Sequence, residues 1–264
     1  MPTNNKKPSY VYHYTTIDVL EKLFANLTET SIGPCEIEQE LVFWATSVFY
    51  MNDKFESFET RIREGVLSNE DQFLFNFSRS INGEPCAISL SASKESIPMW
   101  QMYGGQGNGV CIEFDVSMLM NYMKQHERDN SLTTVQFKAC RYVKKMPRIQ
   151  RNEFGNSNDI IEKQRQMVTL MERAIFTKNS AWNFEKEYRI GIFSHNIKFR
   201  KKGSLLIPYC EQRLPLKAIS SITLGPCCNK ELSLQSVEMM LKQNHITSLH
   251  HFELRISNSP YRQI

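Results

Sequence analysis

The sequence predicts an α+β protein in a single domain, and three observations predict it. Segments with strand alternation, such as residues 180–193, stand among segments with helical spacing, such as residues 159–177, without the strict strand–helix repeat of a parallel fold. No internal repeat, low-complexity stretch or Pro/Gly/Ser-rich linker divides the 264 residues. The composition is that of an ordinary globular chain, 41% hydrophobic, 23% charged and 11% aromatic, with a mean hydropathy of −0.42.

Taken in order, Tyr10-Val11-Tyr12-His13-Tyr14 is β-rich and reads as the first strand. Thr15 or Thr16 can cap the next helix, in which Ile17, Leu20, Phe24 and Leu27 recur at helical spacing. His13 therefore sits where a strand hands over to a helix, a common place for a ligand-facing side chain, although a lone His is more often structural. Residues 40–50 (ELVFWATSVFY) read as a second strand, and Asn52-Asp53 as a turn. Helical spacing over residues 58–76 is broken by Gly65. Residues 85–91 read as a short strand with Ser89 and Ser91 on one face and Ile88 and Leu90 on the other. A helix through Met99, Trp100 and Tyr103 ends at Gly104-Gly105. The glycines that follow, up to Gly109, come after a helix and before the strand 110–115, the reverse of a nucleotide-binding turn. A flexible connector beside a site is expected there. The C-terminal part reads as strand (218–224), helix (230–243) and strand (248–256), a βαβ-like end.

The stretch 180–193 (SAWNFEKEYRIGIF) carries the sharpest chemistry. As one strand it places Trp182, Phe184, Tyr188, Ile190 and Ile192 on one face and Asn183, Glu185, Glu187 and Arg189 on the other. The two carboxylates point the same way, with Cα atoms about 6.5–7 Å apart. They form either a solvated acidic face beside a base or a Glu-x-Glu pair lining a cleft, and Arg189 pairs with a Glu or with a phosphate. Two basic runs flank this stretch. Lys138, Arg141, Lys144, Lys145, Arg148 and Arg151 interleave with Phe137 and Tyr142, and Lys198-Phe199-Arg200-Lys201-Lys202 follows. Basic residues with aromatics suit phosphate contact and base stacking, although such runs are commonly plain solvated faces. A net charge of +4 permits a polyanionic partner without requiring one.

Seven cysteines without a C-x-x-C pair fit a reducing cytoplasm. Cys227-Cys228 with His245, His250 and His251 match no zinc spacing, so no metal is expected. The N-terminal residues carry no apolar core of a signal peptide. No apolar run approaches the roughly 18–20 residues of a membrane span, so no membrane partner is expected.

As an ordered set, Tyr-His-Tyr-Thr (12–15 with its His at 13), Asn-Asp-x-x-Glu, Ser-x-Ser, Met-Trp-x-x-Tyr-Gly, Trp-x-x-Glu-x-Glu-Tyr-Arg and Ile-x-x-Ile-x-Leu-Gly resemble a widespread bacterial domain-of-unknown-function family over nearly the whole chain. That family is in turn similar to the ADP-ribosyltransferase superfamily, including the DNA-modifying toxins of toxin–antitoxin systems. Lys54 departs from the family pattern, which has Pro after Asn-Asp. The resemblance implies a split β-sheet ADP-ribosyltransferase core flanked by helices across residues 1–264, with NAD as substrate. It implies that His13 anchors the adenosine ribose or the diphosphate, with Tyr14, Thr15 and Asn52 in the same NAD-binding set. Ser89 and Ser91 would brace the site, and Trp100 or Tyr103 would stack on nicotinamide. Glu187 would be the catalytic glutamate and Glu185 the upstream acid.

Those residue types suit the reaction. Breaking the nicotinamide–ribose bond passes through an oxocarbenium-like cation, which a carboxylate stabilises where the charge develops, while a second carboxylate can orient or deprotonate the acceptor. The expected function is NAD-dependent ADP-ribosyl transfer to a macromolecule by a bacterial toxin or phage-defence effector, with RNA or DNA favoured over protein as acceptor. Arg141, Lys144, Lys145, Arg200, Lys201 and Lys202 are the expected nucleic-acid contacts, with Phe137, Tyr142 and Phe199 as stacking surfaces. An antitoxin or chaperone would be the protein partner. The alternative is a non-catalytic module of the same fold that binds a nucleotide or nucleic acid.

Overall fold

The structure is a computed structural model, and it describes residues 7–33, 36–51, 69–129, 135–144, 160–244, 246 and 252–261. In chain order the strands are β1 (Tyr10–Thr15), β2 (Thr28–Gly33), β3 (Glu36–Ser47), β4 (Glu84–Ser91), β5 (Val110–Asp115), β6 (Val135–Ala139), β7 (Arg141–Val143), β8 (Thr177–Asn179), β9 (Glu187–Ser194), β10 (Lys198–Lys202), β11 (Leu205–Pro215), β12 (Ile219–Leu224) and β13 (Glu253–Ile256). The helices are α1 (Ile17–Ala25), α2 (Asn69–Asn82), α3 (Ile97–Met102), α4 (Val116–Asp129), α5 (Ile160–Ile175) and α6 (Lys230–Gln243). Strands and helices mix irregularly, and the fold class is α+β as expected. No helix among the described residues is long and apolar enough to cross a membrane.

The chain forms two compact units. The first holds Met1–Phe43, Leu90–His126 and Arg213–Ile264, and the second holds Trp44–Ser89 and Glu127–Gln212.

In the first unit β1 lies antiparallel to β5 along its whole length, from Tyr10 opposite Asp115 to Thr15 opposite Val110. The last residue of β4, Ser91, pairs with Tyr12. On the other side β5 pairs antiparallel with β12, with an irregularity between Ile219 and Ser221. β12 runs parallel to β13, so β12, α6 and β13 make the expected βαβ end of a mixed sheet. Strand alternation gives β1 two faces. Val11 and Thr15 are buried and His13 half-buried on one face, while Tyr12 and Tyr14 are buried on the other. α1 follows Thr16 and buries Leu20, Leu23 and Phe24, the Phe24 ring lying 6.5 Å from that of Phe252. β2 and β3 form an antiparallel hairpin from Thr28 opposite Glu40 to Gly33 opposite Glu36. The sequence reading missed β2, because Thr28-Glu29-Thr30-Ser31 lacks the apolar alternation that marks a strand.

In the second unit β6 pairs antiparallel with β9, from Val135 opposite Ile192 to Ala139 opposite Tyr188. The end of β3 pairs with β4 at Thr46–Ala87 and Ser47–Cys86. β10 and β11 form a hairpin whose turn opens with Gly203 at a φ of +59°. β7 and β8 make a short parallel ladder in which Tyr142 lies opposite Lys178. α5 buries Met171 and Ile175 and leads directly into β8.

Two expected elements change shape. The strand expected over residues 40–50 ends at Ser47, and Val48–Tyr50 is a 3-10 turn. The stretch 180–193 is not one strand: Ser180–Glu185 is a 3-10 helix, Lys186 is left-handed at φ 44°, and β9 begins at Glu187. Local hydrogen bonds overrule the alternation. Asn179 accepts from Ala181 N–H at 2.9 Å to start the turn, and Lys186 N–H donates to Asn183 O at 3.2 Å to close it. Helical spacing expected over 58–76 meets α2 only from Asn69, and α2 continues to Asn82. Residues 52–68 lie outside the described residues.

Candidate functional site

The turn before β9 brings Glu185 and Glu187 to the same cation. Lys178 Nζ donates to Glu185 Oε2 at 2.5 Å and to Glu187 Oε2 at 2.8 Å. Arg189 clamps Glu187 from its other side, with Nε on Oε1 at 2.8 Å and Nη2 on Oε2 at 3.0 Å. Its Nη1 donates to Ile175 O at 2.6 Å, at the C-terminal end of α5 where a cation is favoured. Tyr142 accepts the Glu187 N–H at 2.7 Å, and the Lys178 ammonium lies 5.4 Å from the Trp182 ring centre. Glu187 is 3% exposed and Arg189 0%. Burial alone would raise the Glu187 pKa, but Arg189 and then Lys178 outweigh it and hold the carboxyl at about 2.

The acidic face is thus neither solvated nor lining an open cleft. It is an enclosed cluster of two anions and two cations, and Arg189 pairs with a Glu. Glu187 is ionised at every ordinary pH and too acidic to act as a proton acceptor near neutrality. What it can supply is a fixed, oriented negative charge.

In the first unit the structure gathers some of the expected NAD-binding residues and separates others. Tyr14 and Trp100 meet edge to face at 5.0 Å in a buried cluster with Tyr12, Met99 and Cys111, against which Tyr103 packs. Trp100 is 0% exposed, and its Nε1 donates to Glu95 Oε2 at 3.3 Å. It has no free face for nicotinamide, whereas half-buried Tyr103 does keep an accessible part. The Tyr14 hydroxyl is fully engaged, donating to Ser93 O at 2.8 Å and accepting Ser96 N–H at 3.1 Å. Thr15 is buried. Ser91 is buried and its Oγ accepts Ser93 N–H at 3.0 Å. His13 is half-buried with its ring edge-on to Phe43 at 5.3 Å. Because Ser91 pairs with Tyr12, it faces the side of the sheet that His13 does not. Ser89 is half-buried and belongs to the second unit. Asn52, Lys145, His245, His250 and His251 lie outside the described residues.

The glycine loop is anchored and not a flexible connector. Gly225 N–H donates to Gly109 O at 2.9 Å, and Cys227 N–H to Gly107 O at 2.9 Å. A Cβ on Gly109 would stand 2.2 Å from Thr15 O, and one on Gly225 2.2 Å from Gly107 O. These glycines let two backbones touch, and protein atoms fill the space a phosphate would need.

Among the expected nucleic-acid contacts, Arg141, Lys144, Lys201 and Lys202 are exposed. Arg200 is half-buried, donating to Thr46 Oγ1 at 3.2 Å with its guanidinium 5.9 Å from the Trp44 ring centre. Of the three aromatics, Phe199 is 62% exposed. Phe137 is buried and stacked on Tyr188 at 5.4 Å, so it is not a stacking surface. Tyr142 spends its hydroxyl on Glu187.

One arrangement was missed from sequence. Ser91, Tyr12, Glu113, Ser221 and Glu253 lie at one register position across β4, β1, β5, β12 and β13. They share one face of the sheet, all within the first unit. Lys94 Nζ donates to Glu113 Oε2 at 3.0 Å. Arg255 donates from Nη1 to Ser221 Oγ at 3.3 Å, binds Glu253 Oε2 at 2.8 Å, and lies 3.8 Å from Glu113 Oε2. Burial and then the neighbouring Glu113 push the Tyr12 hydroxyl up to about 12. The available signal was a lone acid inside the apolar strand Val110-Cys111-Ile112-Glu113-Phe114.

Met99-Trp100-x-x-Tyr103-Gly104 and Trp182-x-x-Glu185-x-Glu187-Tyr188-Arg189 lie near the two ends of a stretch that matches one family model, described as "Protein of unknown function (DUF2971)". The match covers residues 99–190, about a third of the chain. No curated protein and no solved structure matches the chain. The matched stretch contains Glu113, Lys178 and the whole Glu185–Glu187–Arg189 cluster, while His13, Asn52, Ser89 and Ser91 precede it. Lys94 and Arg255 also fall outside it.

Proposed function

We propose that the chain is an NAD-dependent ADP-ribosyltransferase, a bacterial toxin or phage-defence effector that modifies a macromolecule, nucleic acid ahead of protein. The observation that carries this reading is the carboxylate at the head of β9. Glu187 is held in one orientation by Arg189 and Lys178 and stays ionised. Such a group stabilises the ribosyl cation that forms as the C1′–N bond of NAD breaks and nicotinamide leaves with the bonding electrons. The acceptor nitrogen or oxygen then bonds C1′ and loses its proton. Glu185 accepts that proton only if Lys178 moves off it, since both carboxylates share that ammonium. Exposed Lys201, Lys202, Arg141 and Lys144 supply phosphate contacts, and Phe199 a stacking face. An antitoxin or chaperone is the protein partner under this reading.

A second reading, a non-catalytic nucleotide- or nucleic-acid-binding module, is favoured by one specific observation. Both oxygens of Glu187 are already taken by cations of the same fold.

One experiment separates the two. Labelled NAD is offered to RNA, DNA and protein fractions separately, and nicotinamide release is followed for wild type and Glu187→Gln. Release that Glu187→Gln abolishes, with label on RNA or DNA, is the expected result. Label on protein alone removes the nucleic-acid acceptor and leaves the enzyme. No release by a folded wild-type protein that still retains polynucleotide overturns the enzymatic reading in favour of the second.

A further inference from the structure

The polar row through Glu113 lies where burial is costly unless each group is partnered. β5 has a neighbour on each side, and its centre is where a sheet normally buries apolar side chains. Instead Tyr12, Glu113, Ser221 and Ser91 are all buried there. Above them stand two cations that stay within reach of water, the side chains of Lys94 and Arg255 being 44% and 37% exposed. Lys94 binds the Glu113 carboxylate at 3.0 Å, and Arg255, held by Glu253 at 2.8 Å, lies 3.8 Å from the same carboxylate, which is 8% exposed.

The segment that delivers Lys94 is built for that aim. Ser91 Oγ holds Ser93 N–H, and Tyr14 holds Ser93 O and Ser96 N–H. Glu95, next in the chain, takes a left-handed φ of 55° and is bound by Trp100 Nε1 and Ser257 Oγ. A non-glycine residue held in that conformation by two separate side chains marks a segment whose position matters more than its backbone ease.

We propose that this row is a binding site for a phosphorylated ribose, with Lys94 and Arg255 taking the phosphate and Glu113 the ribose hydroxyls. An ionised carboxylate accepts only, and two adjacent hydroxyls are the donors that match its two oxygens. An ammonium and a guanidinium donate only, and a phosphate accepts from both. In the free protein Lys94 occupies Glu113. On binding, Lys94 exchanges the carboxylate for the phosphate and leaves Glu113 to the sugar. Tyr12 stays protonated below pH 12 or so, and its hydroxyl orients the buried carboxylate. The site lies within one unit and does not involve Glu187, so it stands apart from the enzymatic reading above.

Calorimetric titration of the full chain with ribose 5-phosphate, ADP-ribose, 5′-AMP, ribose and inorganic phosphate tests the assignment. The phosphorylated riboses should bind, and Lys94→Ala and Arg255→Ala should each weaken them at least tenfold. Both side chains are partly solvated, so thermal melting should show these variants folded. Glu113→Gln should weaken ribose 5-phosphate while leaving inorganic phosphate unchanged. ADP-ribose binding ahead of 5′-AMP assigns the ligand to the dinucleotide pool, and the reverse order to RNA-type nucleotides. Both orders support the site. No binding at millimolar ligand, binding that Lys94→Ala and Arg255→Ala leave intact, or inorganic phosphate binding as tightly as ribose 5-phosphate overturns it. The readout is binding alone, so absence of nicotinamide release has no effect on the outcome.

Discussion

Arg189 donates to both oxygens of Glu187 and to the Ile175 carbonyl, so one guanidinium joins β9 to the end of α5. Removing Glu187 leaves that guanidinium without its carboxylate and the Lys178 ammonium with Glu185 alone, in a site with almost no solvent. Glu187→Ala should therefore cost about 3–5 kcal/mol, the range for breaking a buried pair, read as a lower urea midpoint. A cleft-facing acid would have been lost with little effect on stability, and the enclosed cluster reverses that expectation. The same residue sets an acid sensitivity. Its folded pKa of about 2 lies below the ordinary 4.5, so its contribution is complete above 4.5 and is lost as pH falls toward 2. The gap corresponds to about 3 kcal/mol. Urea melts at pH 7, 4 and 2.5 should show that slope in wild type and lack this part of it in Glu187→Gln.

At the scale of elements, the loop between α3 and β5 and the turn after β12 meet backbone to backbone. Gly109→Ala or Gly225→Ala would place a methyl 2.2 Å from a carbonyl oxygen. No side chain lies there to give way, so each should destabilise by about 1–3 kcal/mol or more, visible as a lower melting temperature. The β10–β11 hairpin behaves differently. Lys201 and Lys202 are exposed at its end, and replacing both with Ala should leave the melting temperature within about a degree or two, since exposed sites away from packing change stability by under roughly 0.5 kcal/mol. If the hairpin grips a polynucleotide, the same change, together with Lys144→Ala, should weaken retention and flatten its dependence on salt. Retention unchanged at 50 and 200 mM salt would remove the hairpin from the interface.

At the scale of the whole molecule, thiol chemistry separates interior from surface. Cys86, Cys111, Cys140 and Cys210 are buried, while Cys227 and Cys228 are half-buried at the turn after β12. Burial also pushes the Cys111 thiol up, which lowers its thiolate fraction further. A thiol reagent should modify Cys227 or Cys228 in the native protein and reach Cys86, Cys111, Cys140 and Cys210 only on unfolding. Peptide mapping after brief labelling checks this. Modification of Cys111 at the native rate of Cys227 would contradict the burial.

Much of the fold was legible in the chain itself. The limits of α6 and β5, the placement of β1, β4 and α5, and the βαβ end all followed from apolar spacing and turn residues, which are local properties of consecutive residues. The ordered motifs at residues 99–104 and 182–189 likewise pointed to the family whose model covers 99–190. What the sequence could not decide is which face of a strand is enclosed and who stands opposite it. Alternation placed Glu185, Glu187 and Arg189 together, but Lys178 enters only because β8 pairs with β7 and the chain then turns at Lys186. Glu113 looked like a stray acid because its partners, Lys94, Ser221 and Arg255, are 19, 108 and 142 positions away in the chain. Register between distant strands is set by the packing of the whole sheet. Periodicity in one segment carries no information about it, and so the charged partners of both glutamates became visible only in the tertiary structure.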